Sequence, residues 1–200
     1  TPSGSQVATQ CVLLDIPILS QADSPFGFYA AMGPASSGKW TGATLYKSLD
    51  AGVNYVAVGA TTSPAVIGAT TSSDNSGSPQ GSPTVSGALS AYGGGDVVDE
   101  SSLCVRLTDP DAELESCTAA ALENGANYIA LSFGDPAGSP IQQTWELLQY
   151  RDAVLIAPQT YVLSGFKRGR KGTSTSGHAE GDTFVLLSSV INIDAPESEL

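Results

Sequence analysis

Short apolar runs separated by Gly, Pro, Ser and Thr dominate the chain, and few of them repeat with helical spacing. Val12–Leu19 is apolar but broken by Pro17, which suits an edge strand or an extended lead-in segment. Phe26–Met32 reads as a second strand, and Gly33–Gly38 as the turn after it. Ala43–Ser48 and Tyr55–Val58 follow across a tight loop, so the four segments together predict a β-meander. Beyond them, Ser102–Leu107, Ala126–Leu131, Trp145–Tyr150, Thr160–Ser164 and Thr183–Leu187 are also strand-like. One segment predicts a helix, about residues 116–124: Ser116 can cap it, alanines fill it and Gly125 stops it.

Residues 68–83 contain no large apolar side chain and read as a linker or a long exposed loop. A second Gly/Pro loop is expected at 134–140. The organisation expected is therefore a β-meander subdomain over 1–67, the linker at 68–83, and a β-rich subdomain with one helix over 84–200. The fold class is mainly β, of sandwich or meander type, in two small subdomains. The first residues, Thr1–Ser5, have neither an initiator Met nor the charged and apolar regions of a signal peptide, and they read as a piece of a longer chain.

Composition narrows the function classes. At 41% hydrophobic and 14% charged, the chain is globular in type. No apolar run approaches membrane-spanning length. A net charge of -12 disfavours general nucleic-acid binding, which needs positive potential along the phosphates. Cys11, Cys104 and Cys117 show no C-x-x-C spacing. They allow one disulfide, but three buried free thiols, made in a reducing cytoplasm, are the expectation.

Several motifs invite chemistry and fall short of it. Gly33–Trp40 nearly spells a phosphate-binding loop, but Trp40 stands where a Ser or Thr must hold magnesium, and β-type sequence follows. Ser48, Asp50, Gly52 and Tyr55 match the Asp-box pattern, a structural hairpin turn in which Asp accepts backbone N–H groups and Gly supplies positive φ. Asp109–Glu115 alternates carboxylates but lacks the Gly and Glu of a calcium loop, so it reads as solvated charge ahead of the helix. His178 is the only histidine, with Asp182 four residues on, yet no nucleophile elbow accompanies it. Nothing sets Glu100, Glu113 and Glu115 across a cleft as paired acids. No catalytic, cofactor-binding or metal-binding residue is assigned.

The remaining signal is charge concentration. Lys167, Arg168, Arg170 and Lys171 are four of the eight basic residues, spaced by Gly165, Gly169 and Gly172. Such a cluster, in a loop carried by strands, can pair with an adjacent subunit or partner, or neutralise acids within its own domain. The intermolecular role is the slightly favoured expectation, making 167–171 a protein-contact loop.

Taken together, Leu13–Val58, Glu115–Leu122, Asn124–Asn127, Glu146–Tyr150, Tyr161–Thr173, Gly177–His178 and Phe184–Leu187 resemble, in order, the C-terminal portion of the baseplate or tail-tip hub protein of gene transfer agents and related long-tailed phages. There the last part reads approximately G-E-L-L-Q-F, then L-S-G-L-L-R-G-R-R-G-T; here Phe166 and Lys167 replace the apolar pair before the first Arg. The resemblance implies a structural virion protein, assembled in the bacterial cytoplasm as a homotrimer at the tail tip. Its implied partners are distal-tail, tail-tube, fibre and receptor-binding proteins, with no nucleic acid and no cofactor. The alternative is a carbohydrate- or receptor-binding tail domain recognising host surface glycan, with Trp40, Tyr46, Trp145 and Tyr150 as stacking surfaces.

Overall fold

The computed structural model describes residues 7–73, 85–133 and 145–194. In chain order its strands are β1 (Thr9–Leu14), β2 (Gly27–Pro34), β3 (Ala43–Lys47), β4 (Val56–Thr61), β5 (Ile67–Thr70), β6 (Asp99–Leu107), β7 (Tyr128–Ser132), β8 (Trp145–Gln149), β9 (Asp152–Ala157), β10 (Thr160–Phe166), β11 (Thr183–Leu186) and β12 (Ile191–Asp194). One α-helix, α1 (Ala119–Glu123), lies between β6 and β7. The protein is mainly β, as the sequence predicts, with its described strands in three antiparallel sheets. It divides into two compact units: Val66–Ser188 is one, and the other joins the segment ending at Ala65 to the one starting at Ser189. No described helix is long and apolar enough to cross a membrane.

In the first unit the expected four-strand meander is corrected. β2 is central, with β1 on one side and β12 on the other, while β3 and β4 form a separate hairpin. The place beside β2 is taken by a strand from the far end of the chain, four residues long, which no local pattern links to it. The buried run Tyr29–Met32 suits a central strand, and Pro17 lies just past edge strand β1. Gly33 and Pro34 belong to β2, so the turn begins only at Ala35.

The hairpin tip is the Asp-box-like turn. Ser48 Oγ donates to Asp50 Oδ1 (2.8 Å) and accepts from the Gly52 amide (2.8 Å). Asp50 Oδ1 also accepts the Asn54 amide at 2.8 Å. The Asn54 and Ser48 hydrogen bonds hold the Asp50 carboxyl at about 2. Ala51 (φ 55°) and Gly52 (φ 89°) are both left-handed. Tyr55 brings its hydroxyl over Gly52 while most of its ring stays exposed.

The second unit holds a seven-stranded sheet in the order β8-β7-β11-β5-β6-β10-β9. Its edge strands β8 and β9 are joined by only Tyr150 and Arg151. Six inter-strand spacings would separate the edges of a flat sheet by roughly 29 Å, whereas the three Cα–Cα steps of that connection reach about 11 Å. The sheet must therefore curl until its edges meet. Backbone bonds from Gln149 to Lys167, just past β10, and from Arg151 to Ser164 and Gly165 form the seam. Leu103, Leu131, Leu148, Leu163, Phe166 and Phe184 fill the interior of the curl and are fully buried.

Three sequence readings change here. The stretch 68–83 does not begin as a linker: Gly68–Thr70 belong to β5, inside the sheet, and 74–83 lie outside the described residues, as does the expected 134–140 loop. At Gly68 there is no room for a side chain, since a Cβ there would lie 2.4 Å from the Arg106 carbonyl oxygen. The helix is shorter than expected and is capped by Thr118, whose Oγ1 accepts the Ala121 amide at 3.1 Å. Ser116 is instead held by the backbone of Ala153. Gln149 Nε2 takes two carbonyls near the helix end, Leu122 (2.8 Å) and Ala126 (2.7 Å).

Phe184 lies on β11 in the middle of the sheet. Phe184→Ala should cost about 3–5 kcal/mol, read as a lowered urea midpoint with an unchanged slope; an unchanged midpoint would contradict this placement of the core.

Candidate functional site

The loop after β10 turns inward. A register shift between Ser164 and Phe166, with Gly165 at φ 69°, redirects the chain as it leaves the strand. Lys167 then exchanges both backbone bonds with Gln149, at 2.9 and 3.0 Å, against the end of β8. The next residues double back through Gly169 (φ 60°) and Lys171 (φ 54°) around a short 3-10 turn, Arg170–Gly172. A Cβ on Gly169 would lie 2.6 Å from Thr175 Cγ2, so this position needs glycine for space as well as for φ. Thr173 Oγ1 accepts the Leu147 amide at 2.9 Å and fixes the returning loop on β8.

This course delivers Arg168 to Glu146. Glu146 is paired across β7–β8 with Leu131, which is paired in turn with Phe184, so the carboxylate shares the interior face of the sheet. It is 0% exposed. Arg168 Nε donates to Glu146 Oε1 (2.6 Å) and Nη2 to Oε2 (2.8 Å), a bidentate pair. The other guanidinium hydrogens go to Asp99 Oδ2 (3.2 Å), Ser90 O (3.2 Å) and Ser176 O (3.1 Å). All five donors of the guanidinium are thereby used.

Glu146 is equally full. Oε1 also accepts the Gly169 amide (2.9 Å), and Oε2 lies 2.8 Å from His178 Nε2. The other ring nitrogen, Nδ1, is 2.9 Å from the Ser132 carbonyl and 3.3 Å from Asp182 Oδ2. A carbonyl only accepts, so Nδ1 carries a hydrogen. Nε2 faces the Glu146 carboxylate, so both ring nitrogens are engaged. Phe133 stacks on that ring, centroids 4.6 Å apart and planes within 11°. Backbone bonds in both directions between His178 and Leu89 hold the segment in place.

The electrostatics follow from these contacts. Burial pushes the Glu146 carboxyl up, but hydrogen bonds from His178 and Arg168, the Arg168 charge and the Gly169 amide outweigh it, and the group sits below its ordinary value. Burial likewise opposes charge on Arg168, and Glu146 and Asp99 overcome it. Lys167 is raised chiefly by its bond to Glu123. Arg170 is raised by its bond to Tyr128, with Asp96 adding to it.

The basic cluster is thus not an outward contact loop, which corrects the expectation for Lys167, Arg168 and Arg170. Lys167 and Arg168 are each 4% exposed. Lys167 pairs with Glu123 and approaches Asp96 at 3.6 Å. Arg170 bonds Asp96 at 2.8 Å. Lys171 is the exposed member. The physical reason is the acidic composition around them: four carboxylates from three separate segments converge on the loop, and Gly169 and Gly172 allow it to turn back onto them. The partner at the centre, Glu146, was missed because it sits in an apolar strand; a lone carboxylate in W-E-L-L-Q was the available signal.

The other candidates stay apart. Gly33–Trp40 forms a strand end and bends, and Trp40 Nε1 bonds Thr9 Oγ1 at 3.0 Å. Glu100 is engaged by Arg151 at 3.4 Å. Trp145 and Tyr150 are buried, which removes them as stacking surfaces, while Tyr46 is 56% exposed. The three cysteines are free, but only Cys104 is buried; Cys11 is exposed on the edge strand β1 and Cys117 is partly buried, contrary to the expected burial of all three. Among the described residues no group of His, Cys, Asp and Glu is arranged to hold a metal ion.

Residues 83–185 match the family described as Rcc01698-like, C-terminal. The chain belongs to that family. It is a family associated with gene transfer agents, and the match spans Asp99, Glu146, Arg168, His178 and Asp182, every charged member of the network. No curated protein matches the chain. The first unit falls outside the matched span, so the ion network belongs to the family portion and the Asp-box-like hairpin does not.

Two outcomes test this centre. Arg168→Met strands Glu146 and Asp99 in the interior and should cost about 3–5 kcal/mol. Arg170→Met breaks a partly exposed pair and should cost about 0–1 kcal/mol; equal urea midpoints for the two variants would contradict the network. Because the Glu146 value is depressed on folding, its contribution is present above the ordinary carboxylate range and is lost as pH falls through the folded value. Glu146→Gln should therefore be less stable than the parent at pH 7 and lose less of its stability on acidification below about 4; parallel stability–pH curves would rule this out.

Proposed function

We propose that the protein is a structural component of a gene transfer agent or long-tailed phage tail, at the tip or baseplate hub. On this reading it is a fragment of a larger, trimeric chain that joins the tail tube to fibres or receptor-binding parts. The observation that carries the reading is family membership over residues 83–185. The ordered resemblance of Leu13–Val58 and Tyr161–Thr173 to tail-hub sequence supports it.

The chemistry of the centre suits a scaffold. His178, the only histidine, is buried with both ring nitrogens occupied, and the guanidinium and carboxylate at the centre have no bond left to offer a substrate. The protein then works by contact and not by turnover, in a virion, with other tail proteins as partners. A glycan-binding role is the second reading, favoured by Tyr46 and Tyr55 standing exposed near the hairpin tip.

Particles purified from cells encoding the chain should contain it, and gold-labelled antibody against it should mark one end of the tail. Label on the head, or absence from particles, would overturn the assignment. A glycan array separates the second reading, since a pure scaffold gives no signal there. Reversing the charge of Arg168 is unsuitable for either purpose, because it disrupts the fold before any contact.

A further inference from the structure

Beside the polar centre lies an open cleft of about 430 Å³, within the size range of small-ligand sites. The segment from Tyr92 to Asp96 lines one side of it, and Gly169, Arg170 and Thr175 of the returning loop line the other. Both sides are pinned. The Tyr92 amide bonds the Thr175 carbonyl at 2.9 Å, and the Arg168 guanidinium bonds Ser90 O at 3.2 Å and Ser176 O at 3.1 Å. Tyr92 folds over Gly94 and donates its hydroxyl to the Val97 carbonyl at 2.9 Å, so its half-buried ring is held in place.

Glycine keeps the cleft clear. Gly93 has no left-handed φ, and a Cβ there would meet nothing within 4 Å. Neither turn geometry nor crowding among the described residues requires glycine at 93, in contrast to Gly169 across the cleft. A side chain absent without such a demand leaves the backbone open to close approach from outside. The amides of Gly93 and Gly95 have no acceptor among the described residues. The charged groups are only half used. Arg170 Nη1 donates to Asp96 Oδ1 at 2.8 Å and Nε to the Tyr128 hydroxyl at 3.4 Å, which leaves Nη2 unpaired among the described residues. The Asp96 side chain is 75% exposed, and its Oδ2 and the Thr175 hydroxyl are likewise unpaired among the described residues.

A guanidinium bonded to a carboxylate presents no net charge. An anionic ligand is opposed here by Asp96, and a cationic one by Arg170. A neutral molecule rich in hydroxyls answers both, because a hydroxyl donates to carboxylate oxygen and accepts from N–H. We propose that this cleft binds a neutral sugar residue. Arg170 Nη2 and the amides of Gly93 and Gly95 donate to its hydroxyls, Asp96 Oδ2 and Thr175 Oγ1 accept from them, and the Tyr92 ring receives an apolar C–H face. The site is distinct from the exposed Tyr46 and Tyr55 of the hairpin, and it stands whether or not the chain is part of a tail.

The test uses the whole chain and a panel of neutral probes: glucose, galactose, mannose and N-acetylglucosamine. Saturation-transfer NMR should detect at least one of them, and its titration should shift the amide signals of Gly93, Gly95 and Arg170. Gly93→Leu fills the cleft where a side chain meets no neighbour, so its urea midpoint should match the parent while sugar binding is lost. Arg170→Met should weaken binding by about tenfold or more, and inorganic phosphate should not compete. Absence of binding by every probe, binding unchanged in Gly93→Leu or Arg170→Met, or displacement by phosphate would each overturn the proposal. So would binding that is lost in Tyr46→Ala combined with Tyr55→Ala but kept in Gly93→Leu, since the sugar would then sit on the hairpin.

Discussion

The bidentate bond between Arg168 and Glu146 is the constraint on which the second unit depends. A carboxylate inside an apolar sheet is costly unless its bonds are met, and so is a guanidinium. Each makes the other tolerable, and the requirement reaches further than the pair. Arg168 cannot meet Glu146 unless the chain leaving β10 turns back across β8, and that turn sets the glycine at 169 and the Lys167–Gln149 bridge. Asp99, Ser90, Ser176 and His178 are held by the same demand for partners. Segments that share no sheet ladder are positioned by one polar centre.

That centre also explains how an acidic chain carries a dense basic run without presenting a basic surface. Arg168 faces inward to Glu146 and Asp99, while Lys167 and Arg170 are met nearer the surface by Glu123 and Asp96. Much of the exterior is left acidic, in keeping with a net charge of -12.

The class of the fold was legible in the sequence because short apolar runs between Gly, Pro and Ser have few other outcomes. Strand positions were legible where burial is dense, as in Trp145–Tyr150 and Thr183–Leu187. Legibility failed where pairing is remote or space is tight. β12 is a four-residue strand whose partner is about 160 residues away in sequence, and β5 is only four residues long, with a glycine at 68 where the neighbouring backbone leaves no room for a side chain. At the centre, the basic cluster stood out by charge, but its direction did not: a run of Lys and Arg looks the same whether it faces a partner or a buried Glu. Only the glycines at 165, 169 and 172 hinted at a loop that doubles back.

The late strand β12 has a consequence for biosynthesis. Most of the first unit precedes the second in the chain, yet β2 lacks one neighbour until Ile191–Asp194 emerges from the ribosome. The whole of the second unit is translated in between, as an insert within the first. At about 5–20 residues per second, that leaves an apolar strand edge open for several seconds or more in every newly made chain. A self-contained insert that folds promptly shortens this exposure, and a nascent-chain chaperone has a defined interval in which to act.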